Sequence, residues 1–537
     1  MHRRFIPIRL IMLVVALCVS AGSVTAQTRS FGTKTGVTAN KVPYVPGELL
    51  VKFRGGSSSK YARSADLAVD ATVLEDLGDT GWQRVKLPDG LSVDAAISRY
   101  DSLTGVEYAQ PNYYYHLLAT PNDPQFTSSG MYGLSKISAP AAWDLSTGSQ
   151  SVVVADIDTG MRYTHQDLAE NAWINTGEIP GNGVDDDGNG YVDDYYGWDF
   201  RFNDSDPIDL DSGVSGDHGT HTAGTIGAVG NNFVGVVGVN WNLKLMTIKI
   251  FNNTVYDDTT SAMLVNAYSY IRMMKLRGVN IRATNNSYGG CTEACGYDQA
   301  TKDGIDAMGD AGIVSVFAAG NDYGSNNDSV PSYPASYTSP SIIAVAASDS
   351  NDNRSDFSNV GPTSVDLAAP GSGIYSTIPS GYGSKSGTSM ATPHVTGAVA
   401  LLSAFRPDLS AASLKASLLN NVDVLPAWNG LVKTGGRLNI FKAMQNPTVC
   451  TFDTGGGSMM VRPRGNNFTI NVASLPNCDY SVKSNTSWIT LLSSDTMSDS
   501  GTITILIASN ATAFARTGTL TIGGQTFTIT QTKNRRA

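Results

Sequence analysis

The sequence predicts a doubly wound parallel-sheet α/β domain between a small α+β unit and an all-β sandwich. Three observations carry this. Short, largely apolar runs recur at 152–157, 243–250, 313–318 and 342–347, as suits strands buried on both faces. Longer amphipathic segments at 261–276 and 390–405 make strands and helices alternate. Beyond residue 447 the period changes to two: 502–505, 519–522 and 526–529 alternate polar and apolar, the last two across Gly523-Gly524. That is a hairpin signature in a unit the size of a β-sandwich.

The chain has 537 residues, room for about three or four domains. Apolar residues make up 41%, which excludes wholesale disorder. Charged residues are only 16% and Gly numbers 55, a mix that suits a loop-rich extracellular protein. Between residues 185 and 217 lie eleven Asp and one Arg, which accounts for the whole net charge of −10. No basic patch offers itself to nucleic acid. An acidic knot without counter-charges asks for a hard cation, the alternative being a solvated loop.

Taken in order, residues 1–26 read as a secretory signal peptide. Arg3, Arg4 and Arg9 precede an apolar stretch at 10–19, and Val24-Thr25-Ala26 is a cleavage site leaving Gln27 first. The apolar stretch is too short to span a bilayer and no other run reaches that length, so a secreted, unanchored protein is expected, and a monomer. Residues 27–40 are rich in Ser, Thr and Gly. Pro46-Gly47 opens a strand at 48–53, helical spacing at 92–103 puts Val93, Ala96, Ile97 and Tyr100 on one face, and 106–115 is extended. The expected boundaries are 27–119, 120–446 and 447–537. Beyond the signal peptide, Cys291, Cys295, Cys450 and Cys478 allow three pairings, and proximity favours 291–295 and 450–478.

The chemistry narrows through the histidines. His165, His218, His221 and His394 remain once His2 in the leader and His116 at the edge of the first unit are set aside. A hydrolase with a neutral base needs one of them beside a nucleophile. Asp158-Thr159-Gly160 follows the first strand, where α/β sites form. His218 opens Asp217-His218-Gly219-Thr220-His221-Thr222-Ala223-Gly224, whose small residues allow a helix to pack close to the sheet. Ser389 lies in Gly387-Thr388-Ser389-Met390-Ala391-Thr392-Pro393-His394. Pro393 belongs in a first helical turn, which puts Ser389 at a helix N-terminus beside free N–H groups. Each alone reads as a cap or scaffold residue; the chain order Asp, His, Ser is that of subtilisin.

With Ala318-Ala319-Gly320-Asn321 added, residues 120–446 resemble the subtilisin-like serine proteases, the subtilases. The resemblance implies Ser389 as nucleophile, His218 as general base and then acid, Asp158 as its orienting carboxylate, and Asn321 with the Ser389 N–H as oxyanion donors. His221 and His394 become structural. Ser287, Tyr288 and Gly289, in Ser287-Tyr288-Gly289-Gly290, match the edge strand that pairs with substrate. Asp322 and Ser332 fall on the rim and base of the P1 pocket, implying broad specificity that favours large apolar side chains. Residues 41–119 resemble the subtilase inhibitor propeptide, with His116-Leu117-Leu118-Ala119 as its tail, so an autoprocessed zymogen is implied. Thr120-Pro121 disfavours a cut directly before Pro121, so the cut is expected after Leu118 or Ala119.

Two structural calcium sites are expected. Asp123, Asp167 and Asn232 match the ligands of thermitase-like subtilases. Separately, 185–196 reads as an EF-hand-like loop with Asp185, Asp187 and Asn189 at positions 1, 3 and 5, Gly190 at the turn and Tyr191 at position 7. Tyr196 stands where Glu belongs, so Asp193 or Asp194 must close the shell. Residues 447–537 resemble the BACON-type sandwich through Cys478-Asp479-Tyr480 and Ser487-Trp488-Ile489, which implies carbohydrate or mucin binding or a spacer role. Two rival readings remain open. A second Asp-Thr-Gly at Asp453 admits an aspartic protease, and a dead protease serving as a surface-binding protein is the other.

Overall fold

The computed structural model describes residues 44–114, 120–210, 217–252, 259–289 and 297–534. The expected signal peptide, the Cys291/Cys295 pair, Gly290 and the 116–119 tail lie outside them.

The first unit is a four-stranded antiparallel sheet in the order Thr72–Asp76, Trp82–Lys86, Tyr44–Phe53, Val106–Tyr113. Two helices cover it. The expected helix is Val93–Asp101, with Ser92 accepting from the Ala95 N–H as N-cap. Lys60–Val69 is capped in the same way by Ser59, and sequence periodicity did not pick it out. Leu49, Val51, Phe53, Ala62, Val85, Ala96 and Tyr100 form the core, and the Tyr100 hydroxyl donates to Asp66 at 2.9 Å inside it.

The second unit is built on a nine-stranded sheet. Its order is Asp423–Val424, Gly436–Arg437, Leu367–Pro370, Ile342–Ser348, Val314–Ala318, Ile281–Asn286, Gly148–Asp158, Asn242–Lys249 and Gly197–Asp199, all parallel except the first. The predicted runs are its central strands and are largely buried on both faces, the polar Asp156, Thr247 and Ser315 within them included. Val153, Ala155 and Ile157 pack with Ser261–Leu276 on one side. Val152 and Val154 face the opposite way, toward Ala223 and Ile226 of the helix His218–Gly227. The helix Thr388–Phe405 is buried along most of its length, with Ala391, Val395, Ala398 and Leu402 in the largest core cluster.

Residues beyond the last helix, Ile440–Gln445, form a sandwich of a five-stranded and a three-stranded sheet. Ile470, Val482, Ile503, Ile505, Leu520 and Ile529 fill its core. The predicted hairpin is Arg516–Ile522 with Gln525–Gln531, and Gly523 and Gly524 take φ of +54° and +79°, which a tight two-residue turn requires. Cys450 and Cys478 are disulfide-bonded, as proximity favoured.

The sandwich is docked on the helix Ala411–Leu419. Ala416 joins its apolar core, and Lys415 Nζ meets Asp479 Oδ2 at 2.7 Å with both side chains 6% exposed. Burial alone would strip Lys415 of its proton; Asp366 and Asp479 outweigh that and hold its pKa above the ordinary lysine value. Removing one partner strands the other charge in the interior. Asp479→Ala should therefore cost about 3–5 kcal/mol of unfolding free energy, whereas Lys415→Met with Asp479→Leu should cost far less. Denaturant titration of the three proteins checks this, and equal losses in both variants would refute it.

Candidate active site

The alternation of the strand Gly148–Asp158 turns Asp158, with Val152 and Val154, toward the helix His218–Gly227. Asp158 is 2% exposed and its Oδ1 accepts from the Thr159 N–H at 2.7 Å. His218 Nδ1 lies 2.8 Å and 2.9 Å from its two oxygens. A glycine after His218 makes this approach possible. A Cβ on Gly219 would stand 2.1 Å from the Gly160 carbonyl oxygen and 3.0 Å from Asp158 Cβ. Burial would lower the His218 pKa, but the charge and hydrogen bond of Asp158 prevail and raise it above the ordinary histidine value. Lys385 pairs with the neighbouring Asp217 at 2.6 Å.

Ser389 is the second residue of the helix Thr388–Phe405, and its hydroxyl donates to the Ser287 carbonyl at 3.1 Å. In return the Ser287 hydroxyl donates to the Ser389 carbonyl at 2.9 Å. That carbonyl is free because Pro393 stands four residues on and has no N–H to offer it. Here the sequence expectation needs correction. Pro393 is the sixth residue of the helix, not part of its first turn, and the Ser287 hydroxyl takes the place of the missing ladder donor. Asn321 Oδ1 accepts from the Thr388 N–H and hydroxyl at 2.9 Å and 3.0 Å, which fixes its amide. A methyl on Gly387 would stand 3.6 Å from Ser389 N and 3.7 Å from Asn321 Nδ2, so two nitrogen donors border the same space.

The predicted substrate residues are placed around this point. Ser287 and Gly289 extend the strand Ile281–Asn286, and a Cβ on Gly289 would approach the Tyr333 carbonyl oxygen to 3.1 Å. The Tyr288 ring belongs to the core, its hydroxyl bonded to those of Tyr268 at 2.7 Å and to Asn286 at 2.9 Å. Asp322 is exposed, and Asn359 holds its carboxylate at 2.9 Å. Ser332 is buried beside Gly320, its hydroxyl without a partner among the described residues. His221 bonds the Ile374 carbonyl and His394 the Met390 carbonyl, and burial pushes their pKa values down to about 3 and about 4. His165 bonds the Gly381 carbonyl at 3.0 Å.

The carboxylates fall into two groups. Asp123 accepts from the Asn231 N–H at 2.7 Å through Oδ2, leaving Oδ1 buried and unpartnered. Asp167 accepts from Asn232 Nδ2 at 2.7 Å, and burial pushes its pKa up to about 6. In the acidic loop, the ligand atoms within 4.8 Å of one another belong to Glu178, Asp187 and Asp194. Asp185 instead caps the N–H groups of Asn189 and Gly190, and Asp193 those of Asn182 and Gly183. Asn189 donates to Asp187 and Asp194, and the Tyr191 ring packs against Trp198 and Tyr270. The loop is thus an Asx-turn scaffold that presents two of its acids to a glutamate from upstream. Glu178 was missed because it lies outside the loop spacing; its isolation in a stretch otherwise without Glu was the available signal.

Residues 149–457 match the profile described as "Subtilase family", over half of the chain. The chain belongs to the subtilase family. Residues 33–112 match the "Fervidolysin N-terminal prodomain", and 479–532 match BACON, described as "Putative binding domain, N-terminal". Thermitase of Thermoactinomyces vulgaris is 38% identical over 327 residues, covering 61% of this chain and 99% of that protein. A thermophilic serine proteinase of Bacillus sp. (strain AK1) is 33% identical, covering 68% and 80%. An extracellular protease of Xanthomonas campestris pv. campestris is 30% identical, covering 71% and 69%. This subtilase is accordingly a serine endopeptidase with a prodomain. The aspartic-protease reading falls, and Asp453 lies at the sandwich, bridged to Ala473. Gly219→Ala should force Asp158 and His218 apart and cut kcat by at least about 100-fold, as misplacement of reacting groups does. Steady-state kinetics on a folded variant checks it, and a kcat near wild type would show that the contact relaxes harmlessly.

Proposed function

We propose that this subtilase is a secreted endopeptidase zymogen in which Asp158, His218 and Ser389 form the catalytic triad. The observation that carries this is the His218 Nδ1 hydrogen bond to both oxygens of Asp158, which leaves Nε2 to take the Ser389 proton. Ser389 attacks the scissile carbonyl after turning from Ser287. The developing oxyanion is met by the Ser389 N–H and Asn321 Nδ2, and His218 returns the proton to the leaving amine. Ser287, Tyr288 and Gly289 offer main-chain pairing to an extended substrate. The small Ser332 at the pocket base favours a large apolar P1 side chain, and Asp322 at the rim also admits a basic one.

Ser389→Ala should abolish peptidase activity, labelling by a serine-directed phosphonate and prodomain cleavage, and Asn321→Ala should lower kcat by roughly 10²–10³ at little change in KM. Normal self-processing of the Ser389 variant would sink the triad. For the mature N-terminus we favour a cut after Leu118 or Ala119. Edman sequencing of the active enzyme should read from Ala119 or Thr120, and a start at Gln27 would refute the zymogen.

Two structural calcium ions are part of the proposal. The residues fit: Asp123 Oδ1 is buried without a partner beside Asp167 and Asn232, and Glu178, Asp187 and Asp194 gather acidic oxygens within 4.8 Å of one another, Asp187 also meeting Arg277 at 3.2 Å. Bound only by the folded state, each ion adds about 2.7 kcal/mol at a hundred times Kd. EGTA should therefore lower the thermal midpoint of wild type, and Asp187→Ala or Glu178→Gln should shrink that response. Undiminished EGTA sensitivity in both variants would remove the acidic-loop site.

A further inference from the structure

The face of the strand that carries Asp158 carries a second carboxylate. Asp156, two residues earlier and 2% exposed, points to the same side. Among the described residues no ammonium or guanidinium pairs with it. Asn285 Nδ2, from the neighbouring strand, meets its Oδ1 at 2.8 Å, and Thr222 Oγ1, on the His218 helix, lies 3.1 Å from its Oδ2.

The titratable groups facing it are Asp158 on its own strand and His218 on the helix. The other elements around it bring neutral groups. These are Asn285, Thr247 opposite Asp156 in the next strand, and Thr396 of the Ser389 helix, which donates to Asn285 Oδ1 at 3.0 Å. Lys249, opposite Asp158, is engaged by the Ile208 carbonyl at 2.8 Å and by Asp199 at 3.6 Å, and Asp209 is held by Thr220.

Counting hydrogens admits a neutral state for this group. Thr222 has one hydroxyl hydrogen and two oxygen neighbours, the Gly219 carbonyl at 2.9 Å and Asp156 at 3.1 Å. The carbonyl can only accept. When Thr222 donates to it, the contact with Asp156 is a hydrogen bond only if Asp156 brings the hydrogen. Burial and the charge of Asp158 act in the same direction, raising Asp156 well above the usual carboxylate range.

We propose that Asp156 is a neutral carboxylic acid and a positioning residue, its O–H donating to Thr222 and its carbonyl oxygen accepting from Asn285. The inference rests on the triad reading above. The second N–H of Asn285 donates to Ser287 Oγ at 3.1 Å, and Ser287 donates to the Ser389 carbonyl. One hydrogen-bonded chain thus runs from the His218 helix through Asp156 to the backbone of Ser389, joining base to nucleophile. Neutrality keeps Asp158 the single negative charge behind the imidazole. A second one would hold His218 protonated to higher pH and withhold the base.

The test compares Asp156→Leu, which keeps the branching of the side chain and loses both hydrogen bonds, with Asp156→Asn, which keeps both. Asp156→Leu should lower kcat by about 10–100-fold with KM little changed. Asp156→Asn should restore most of that kcat and leave the acid limb of kcat/KM where wild type has it. An acid limb moved down by about one unit in Asp156→Asn would show that a charge had been removed and would overturn the neutral state. An unchanged kcat in Asp156→Leu would overturn the positioning role. Should Asp156→Leu not fold, Thr222→Val against Thr222→Ser asks the same question: Val should lose about tenfold in kcat and Ser recover it, and equal activity overturns the proposal. The two readings fail separately, because a moved acid limb with Ser389 still labelled by phosphonate removes only Asp156, whereas activity surviving Ser389→Ala removes the triad.

Discussion

Asp158 is a carboxylate taken out of water at the end of a strand, and most of the active-site architecture answers to that burial. A carboxylate buried there needs donors in place of water. The Thr159 N–H and His218 Nδ1 supply them. That demand reaches outward. The helix bearing His218 must come close enough for Gly219 to be the only tolerable neighbour, and the strand must present one face to that helix and the other to Ser261–Leu276. The raised pKa of His218 is the same constraint seen from the imidazole.

Ser389 is held by a second compensation. A proline within a helix removes one ladder bond, here the bond to the carbonyl of Ser389 itself. The carbonyl is satisfied from outside by Ser287, which lies at the start of the segment that would pair with substrate. The two segments are therefore bonded in both directions, Ser389 to Ser287 and Ser287 to Ser389. Backbone freedom at either place is restricted by the other.

How much of this was legible in the sequence varies with the physics involved. Buried parallel strands leave continuous apolar runs, so the central sheet was readable, and the helix Ser261–Leu276 was found at its observed bounds. The Gly-Gly hairpin was readable because glycine enters both positive-φ positions without strain. The helix Lys60–Val69 was not picked out, although Ala62, Ala65 and Val69 share its buried face at helical spacing. Asp185 and Asp193 were read as ligands from their spacing, which is silent on the turn N–H groups that they also cap. Asp156 was visible as a charge in an apolar run, but what it bonds is set by Asn285 and Thr222, from elements far along the chain.

The sandwich shares a buried ion pair and part of its apolar core with the helix Ala411–Leu419. Detaching the sandwich would uncover Lys415 and Ala416 together, with Asp366 left as the acid near the lysine. The seam is thus charged and apolar at once, and any other module grafted there has to cover both kinds of surface.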